Sequence, residues 1–363
     1  MRIGILGGGQ LGRMLALAGY PLGHTFRFLE PKRPAPVDGL GEIVRAAYDD
    51  LEAVREFGRG LDVVTYEFEN VPDASARLLQ ESLPIYPSAS ALRMSQDRLA
   101  EKQSFDQLEI PTAPFHPVDT RDDLEEGLAR LGLPAVLKTR RFGYDGKGQR
   151  VLETREDIDD AWWSLSDHPM LLERFVTFTR ELSIVGVRGV DASKAFYPLV
   201  ENVHERGILR LTTAPAPVVS DALQALAERH VSALMDAVEY VGVMALELFQ
   251  DGDDLLANEM APRVHNSGHW TQDGAEVSQF ENHVRAITGA PLGSTAPRGH
   301  SAMLNLIGDV PASASILALD RAHLHLYHKK PRPGRKLGHV NVVGADPGEV
   351  RVVLEELEAL VRP

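Results

Sequence analysis

The sequence predicts an α/β unit followed by an α+β unit. Three observations carry this. In residues 1–90, short apolar strands alternate with segments of helical spacing. The run Ile110-Pro111-Thr112-Ala113-Pro114 then reads as a linker. Beyond it come strands joined by tight turns, of which Asp251-Gly252-Asp253-Asp254 is the clearest hairpin signal.

Ile3–Leu6 is predicted as a strand, Gln10–Gly19 as a helix with Leu11, Leu15 and Ala18 on one face, and His24–Leu29 as a second strand. Leu51–Phe57 follows as a helix and Asp62–Tyr66 as a third strand. Alternation of this kind builds a parallel sheet with helices on both faces. A helix is expected from Ser95 to Leu108, ended by the linker. Pro134–Thr139 and Arg150–Glu153 are strands around the glycine loop Gly143–Gly148. Thr154 and Asp157 form a capping-box pattern for a helix to Leu165. Met170–Phe175 and Glu181–Val187 are further strands. Ser220 caps a helix carrying Leu223, Leu226, Leu234 and Val238, ending near Gly242. Val243–Gln250 and Leu255–Met260 are the hairpin arms, and a terminal helix starts at Pro347.

The 363 residues carry 38 Lys and Arg against 52 Asp and Glu, a net charge of −14. Such a field repels phosphate backbones, so any anionic ligand must meet a local cationic cluster. The absence of cysteine excludes thiolate chemistry and Cys-based metal sites. No stretch of 18 apolar residues suits a membrane span, and Met1–Leu6 does not read as a signal peptide. The expected compartment is the cytoplasm.

Gly7-Gly8-Gly9-Gln10-Leu11-Gly12 fits a phosphate-cradling turn between strand and helix. With Glu30 at the end of the second strand, it also fits a nicotinamide or flavin fold, or a tight turn without a ligand. Gly143-Tyr144-Asp145-Gly146-Lys147-Gly148 is a second glycine loop, between two strands, and Gln149-Arg150 rules out a Walker A loop. It suits a flap over phosphates, or a plain hairpin turn. Lys138, inside an apolar strand, needs an anionic partner.

Glu247 and Glu259 flank the hairpin turn. A turn centred on Asp253 sets them opposite each other, where like charges call for a cation such as Mg²⁺ shared with phosphate oxygens. A register one residue away sets Asn258 there instead, and a half-exposed hairpin with solvent-facing acids is the alternative, against which the apolar Ala245, Phe249 and Ala257 argue. Arg263-Val264-His265-Asn266-Ser267-Gly268-His269 suits an anion better than a zinc pair, since Ser267 and Gly268 interrupt a helix. The run His328–His339, with Lys329, Lys330, Arg332, Arg335 and Lys336, is densely basic. It reads as a nucleic-acid tail, as a solvated loop or, inside a folded acidic chain, as a site for a small phosphate-bearing substrate.

Taken in order, Gly7–Met14, Gly143–Gln149, Asn258–His269 and Lys329–His339 resemble the 5-(carboxyamino)imidazole ribonucleotide synthase family of the ATP-grasp superfamily. The resemblance spans nearly the whole chain. It implies an N-terminal doubly wound pre-ATP-grasp domain (1–94), an ATP-grasp domain (95–297) with a flap lobe at about 112–180, and a C-terminal substrate-closing region (298–363). It implies that ATP and Mg²⁺ activate bicarbonate as carboxyphosphate, which carboxylates the amine of aminoimidazole ribonucleotide in purine synthesis. It further implies a cytoplasmic homodimer, with neither nucleic acid nor membrane as partner.

The resemblance also carries residue roles. Arg98 and Lys138 contact ATP phosphates. The flap Gly143, Tyr144, Asp145, Gly146, Lys147, Gly148 and Gln149 closes over them. Glu173, Arg174, Phe175 and Val176 receive adenine through backbone groups. Glu181 and His204 line the nucleotide pocket, with Asn258 and Glu259. Glu247 and Glu259 hold the metal. Arg263 and His265 hold carboxyphosphate beside Asn266, with Tyr144 and Asp145 reaching the aminoimidazole. Lys329, Arg335, Gly8, Gly9 and Gln10 grip the ribonucleotide phosphate, and Glu67 faces the same substrate. Arg263, His265, Asp145 and Lys329 are the expected catalytic group. Lys147 stands where some members have arginine and cannot make a bidentate contact. A formate-using ribonucleotide transformylase is the alternative within the superfamily, and a nicotinamide-dependent oxidoreductase the alternative outside it.

Overall fold

The computed structural model describes residues 1–143 and 147–361. Tyr144, Asp145 and Gly146, three of the expected flap residues, lie outside them. Three sheets organise the molecule. The first is parallel, in the order Glu42–Val44, Thr25–Leu29, Arg2–Leu6, Val63–Tyr66. Its strands are apolar on both faces because helices cover both, as the buried Ile3, Ile5, Phe28 and Val63 attest. Helix Gln10–Gly19 packs against helix Gln279–Thr288 of the larger unit, and Leu11, Leu15, Phe280 and Ile287 share one core. His283 rivets the two units. Its Nε2 lies 2.7 Å from Thr65 Oγ1, and its Nδ1 accepts from Val243 N–H at 3.1 Å.

The second sheet has four antiparallel strands, Phe115–Val118, Met170–Arg174, Ala135–Thr139 and Gln149–Leu152. Helices Arg121–Leu131 and Asp157–Leu165 close its core through Leu124, Ile158 and Leu165. The glycine loop therefore joins two neighbouring strands of a small lobe. At Thr154 the expected capping box is only half formed. Asp157 accepts from Thr154 N–H at 2.7 Å, but Glu156 is the residue at the cap and offers no side-chain bond.

The third sheet has nine strands and is antiparallel throughout. The hairpin Gly242–Asp251/Asp254–Ala261 lies at one end. His300–Ile307, Lys336–Gly344 and Ala322–Leu326 continue the sheet at the other. Residues after 298 thus extend the central sheet rather than forming one of their own. Ser220 caps the helix Asp221–Ala237 by accepting from Leu223 N–H at 3.2 Å. The helix stops at Ala237, short of Gly242.

Two further expectations change. The helix placed at Ser95–Leu108 is two helices, Ala89–Gln96 and Arg98–Gln107, broken at Asp97. Asp97 is extended, caps the second helix through Leu99 N–H and holds Arg140 at 2.9 and 2.7 Å. The basic run ends sooner than its composition suggests. Lys336–His339 already belong to a strand, and His339 is fully buried.

Candidate functional site

A cavity of ≈950 Å³ lies where the three sheets meet. The hairpin supplies its centre. A two-residue turn, Gly252-Asp253, pairs Asp251 with Asp254, and a regular ladder from there would face Asn258 to Glu247. A bulge at Asn258 inserts one residue, so Glu259 pairs with Glu247. Two residues opposing one is the bulge geometry, and it turns both Asn258 and Glu259 to the face of Glu247. All three line the cavity. Burial, and then the charge of Glu259, pushes the Glu247 carboxyl up. Burial opposes the Glu259 charge as well, though its side chain is more exposed than that of Glu247, and Arg98, with Nη1 2.9 Å from its Oε2, holds it below the ordinary value. Two opposed carboxylates, one drawn toward protonation, fit a divalent cation. No three His, Asp or Glu groups cluster as a metal cage among the described residues. The pair would therefore share such an ion with ligand oxygens, the habit of Mg²⁺.

One end of the cavity belongs to the small lobe. Lys138 lines it, and its partner within the protein is Glu173, with Nζ to Oε2 at 3.0 Å. Glu173 is also approached by the buried Lys102 at 3.5 Å. Burial opposes the Glu173 charge, but the two lysines outweigh it and pull its pKa to about 2. Lys102 Nζ further donates to Thr112 Oγ1 at 2.7 Å and to Ala257 O at 3.3 Å, tying the linker to the hairpin. Glu181 and His204 form an ion pair in the same wall. Burial works against the His204 charge, yet Glu181 and Glu247 raise its pKa. Gly143, Lys147, Gln149 and Phe175 complete this end.

The other end is built by the segment after the hairpin. Arg263 is ion-paired to Glu69 of the first unit. His265 accepts from Ser267 N–H at Nδ1 (3.3 Å), so its remaining N–H is on Nε2, 3.3 Å from Glu247 Oε1. Burial, then the nearby Arg263, holds this ring well below the ordinary histidine pKa, so it is neutral. Asn266 exchanges amide bonds with Asn305 at 3.2 and 2.9 Å. Lys329 hydrogen-bonds Gln10 and lies 5.7 Å from the centre of the Tyr327 ring. Arg335 and Lys336 line the same end.

Three family models match consecutive parts of the chain. They are the ribonucleotide synthetase preATP-grasp domain (residues 1–96), the ATP-grasp domain (103–280) and the phosphoribosylaminoimidazole carboxylase C-terminal domain (301–352). The N5-carboxyaminoimidazole ribonucleotide synthase of Pseudomonas aeruginosa is 51% identical over 361 residues, covering 99% of each chain. That of Escherichia coli is 40% identical over 362 residues, covering 99% of this chain and 95% of the relative. The chain belongs to the N5-carboxyaminoimidazole ribonucleotide synthase family. The crystal structure of the Thermus thermophilus synthetase matches with a TM-score of 0.96 at 56% identity, covering 99% of each chain. The Aspergillus clavatus synthase, in complex with ADP and 5-aminoimidazole ribonucleotide, matches with 0.93 at 32% identity, covering 99% of this chain and 98% of that one.

Most of the synthase residues expected from sequence converge on the one cavity, and some do not. Gly8 and Gly9 do not line it. Gly8 N–H donates to Glu30 Oε2 at 3.0 Å, and Gly9 N–H to Glu67 Oε1 at 2.7 Å. Glu67 Oε2 also accepts from Gly12 N–H at 3.1 Å. These donors of the first glycine loop are therefore occupied by carboxylates, and the Gln10 side chain is what reaches the cavity. Glu30 is likewise spent, on Gly8, Lys32 N–H (2.8 Å) and Tyr48 OH (3.1 Å), which removes the acid a dinucleotide ribose would need. Gly148, Glu173, Arg174 and Val176 also stand off the cavity. The Glu173 side chain faces the two lysines, and Arg174 Nε donates to Leu131 O at 3.3 Å.

Sequence reasoning missed Glu69, Gln96, Glu101 and Lys102. Glu69 lies two residues after Glu67 and Gln96 two before Arg98, where no spacing or charge pattern marks them. Gln96 Nε2 donates to Glu69 O and Val71 O at 2.7 and 2.9 Å, and its Oε1 accepts from Arg141 at 2.9 Å. It thus straps the loop of Glu69, the ion-pair partner of Arg263, to the base of the flap. Glu101 accepts from Met260 N–H at 2.6 Å, and the one available signal was its place, with Lys102, one turn beyond Arg98 on the same helix.

Proposed function

We propose that this chain catalyses ATP-dependent carboxylation of the exocyclic amine of 5-aminoimidazole ribonucleotide, giving the N5-carboxyamino ribonucleotide, ADP and phosphate in purine biosynthesis. The observation that carries the reading is the opposed Glu247–Glu259 pair, with Arg98 and Lys138 toward one end of a single cavity and Arg263, His265 and Lys329 toward the other.

Arg98, Lys138 and the flap Gly143–Gln149 would bind the ATP phosphates, with the backbone of residues 173–176 and the Phe175 side chain beside adenine and Glu181 and His204 beside the ribose. Glu247 and Glu259, with Asn258 adjacent, would hold Mg²⁺, which when bound neutralises charge on the transferred phosphoryl. Bicarbonate oxygen attacks the γ-phosphorus, and the bond to the β-phosphate oxygen breaks to leave ADP. Arg263 brings a permanent charge to the resulting carboxyphosphate, and the neutral His265 offers its Nε2–H to polarise it. The amine then forms the C–N bond, phosphate leaves, and the amine gives up one proton. Lys329, Arg335 and Gln10 would grip the ribonucleotide phosphate with Glu67 near, and Tyr144 and Asp145 would come from the flap. Carboxyphosphate is labile in water, so closure by the flap serves to exclude solvent. The reading includes a homodimer in the cytoplasm, for which light scattering would give twice 39.8 kDa.

ADP release from Mg·ATP tests the proposal, with bicarbonate present, with and without the ribonucleotide. Strong stimulation that disappears when bicarbonate is depleted is the expected result. Stimulation by formate instead would assign the chain to transformylation. In the same assay Lys329→Ala should raise KM for the ribonucleotide about tenfold or more and leave KM for ATP unchanged.

A further inference from the structure

Gln279 has no access to solvent or to the cavity, yet its amide decides the state of a histidine that does line the cavity. Its Oε1 accepts from His265 N–H at 2.9 Å, and its Nε2 donates to His265 O at 2.7 Å. Both partners are backbone groups of known polarity, so the amide cannot be flipped. The second Nε2 hydrogen meets His269 Nδ1 at 3.1 Å. A nitrogen that accepts carries no proton, so His269 keeps its N–H on Nε2. Burial, followed by the positive groups around it, holds this ring well below the ordinary histidine pKa, consistent with a neutral tautomer. Among the described residues Nε2 has no hydrogen-bond partner.

The surrounding loop is shaped for this arrangement. A Cβ on Gly268 would stand 2.6–2.9 Å from the Gln279 amide atoms, so only glycine lets the amide lie against the loop. Gln279 N–H donates to Thr271 Oγ1 at 3.0 Å, which donates to Gly268 O at 2.6 Å. The His269 ring centre is 6.5 Å from that of Tyr327, the ring beneath Lys329. His269 thus lies between His265, which faces the carboxylate pair, and the basic end.

We propose that His269 is a further substrate contact, donating its Nε2–H to an acceptor on the base or ribose of the ribonucleotide, and that Gln279 is the positioning residue that locks this tautomer. The inference rests on the substrate reading above, and a single N–H of fixed position suits one acceptor atom of the base or ribose.

Titration calorimetry with aminoimidazole ribonucleotide, in the presence of Mg·ADP, tests it on His269→Phe and His269→Gln. Phenylalanine keeps a ring without a donor, whereas the glutamine amide places an N–H near the Nε2 position. His269→Phe should bind the ribonucleotide roughly tenfold more weakly with ADP affinity unchanged, and His269→Gln should recover most of the loss. Equal ribonucleotide affinity in His269→Phe and the unsubstituted chain would overturn the proposal. No ribonucleotide binding by the unsubstituted chain would instead overturn the substrate reading beneath it. The imidazole ¹⁵N spectrum of the unsubstituted protein needs no variant to fold. It should show His269 protonated at Nε2, moving in Gln279→Glu toward a ring protonated at Nδ1. An Nδ1–H ring in the unsubstituted protein would overturn the proposal.

Discussion

Glu173 is where the two lysines of the nucleotide end converge, and its environment sets a measurable pH dependence. Burial raises its pKa, but Lys138 and Lys102 outweigh burial and leave it at about 2, against 4.5 ordinarily. The folded-state pKa is depressed, so its contribution is present above pH 4.5 and is lost as pH falls from there through about 2. Glu173→Gln should cost about 3 kcal/mol at pH 7, with urea-denaturation curves of variant and parent converging across that window. At Glu247 the effect of neutralisation has the opposite sign. Glu247 and Glu259 face each other in the cavity wall, so Glu247→Gln removes a repulsion. The variant should melt higher than the parent without Mg²⁺, gain less stability from added Mg²⁺, and lose about 100-fold or more in kcat. A variant with the parent's Mg²⁺-dependent turnover would remove Glu247 from the metal site.

At the scale of elements, two short irregularities do what regular structure could not. The bulge at Asn258 lets three polar side chains share one face of a hairpin that would otherwise alternate. The break at Asp97 turns one helix into two, so that Gln96 and Asp97 clamp Arg141 and Arg140 at the flap base. The hairpin itself was legible in the Asp251–Asp254 turn and its apolar arms. Its register was not, because a bulge is a packing outcome with no residue type that demands it here. The loop at Gly268 is open to a direct test. Gly268→Ala must displace the Gln279 amide, so it should lower stability by about 1–3 kcal/mol and impair turnover more than ATP binding. Thermal melting and steady-state kinetics on one preparation would check both.

Across the whole molecule, buried neutral histidines accumulate where the units meet. Burial depresses His265, His269 and His339 well below their ordinary value and His283 to about 3. The unfolded chain binds protons at these positions near pH 6.5 while the folded chain does not, so stability rises with pH through this range. The protein should therefore lose stability as pH falls below 6.5, by up to about 1.4 kcal/mol per pH unit for each such group. His283 joins Thr65 to Val243, so the first unit should loosen with the rest. Replacing His283 by Gln should flatten the slope, as read from urea midpoints between pH 7 and pH 5. A slope unchanged by the substitution would show that His283 titrates no differently folded and unfolded. No helix among the described residues is long and apolar enough to cross a membrane.

The alternation of strands and helices in residues 1–90, the two glycine loops, the carboxylates of the hairpin and the basic run can all be read along the chain. These are local signals, carried by spacing, turn chemistry and charge that need no partner in space. What each polar group meets was set by the folded packing. It assigned Glu173 to Lys138, Glu69 to Arg263, and Glu30 and Glu67 to donors of the first glycine loop. It also brought Gln279 against His265 and His269. Each of these partners is distant in sequence or turned inward by a fold that its own segment does not specify. A buried charge or amide is satisfied by whatever the packing brings to it, and that is a property of the assembled sheets rather than of any one strand.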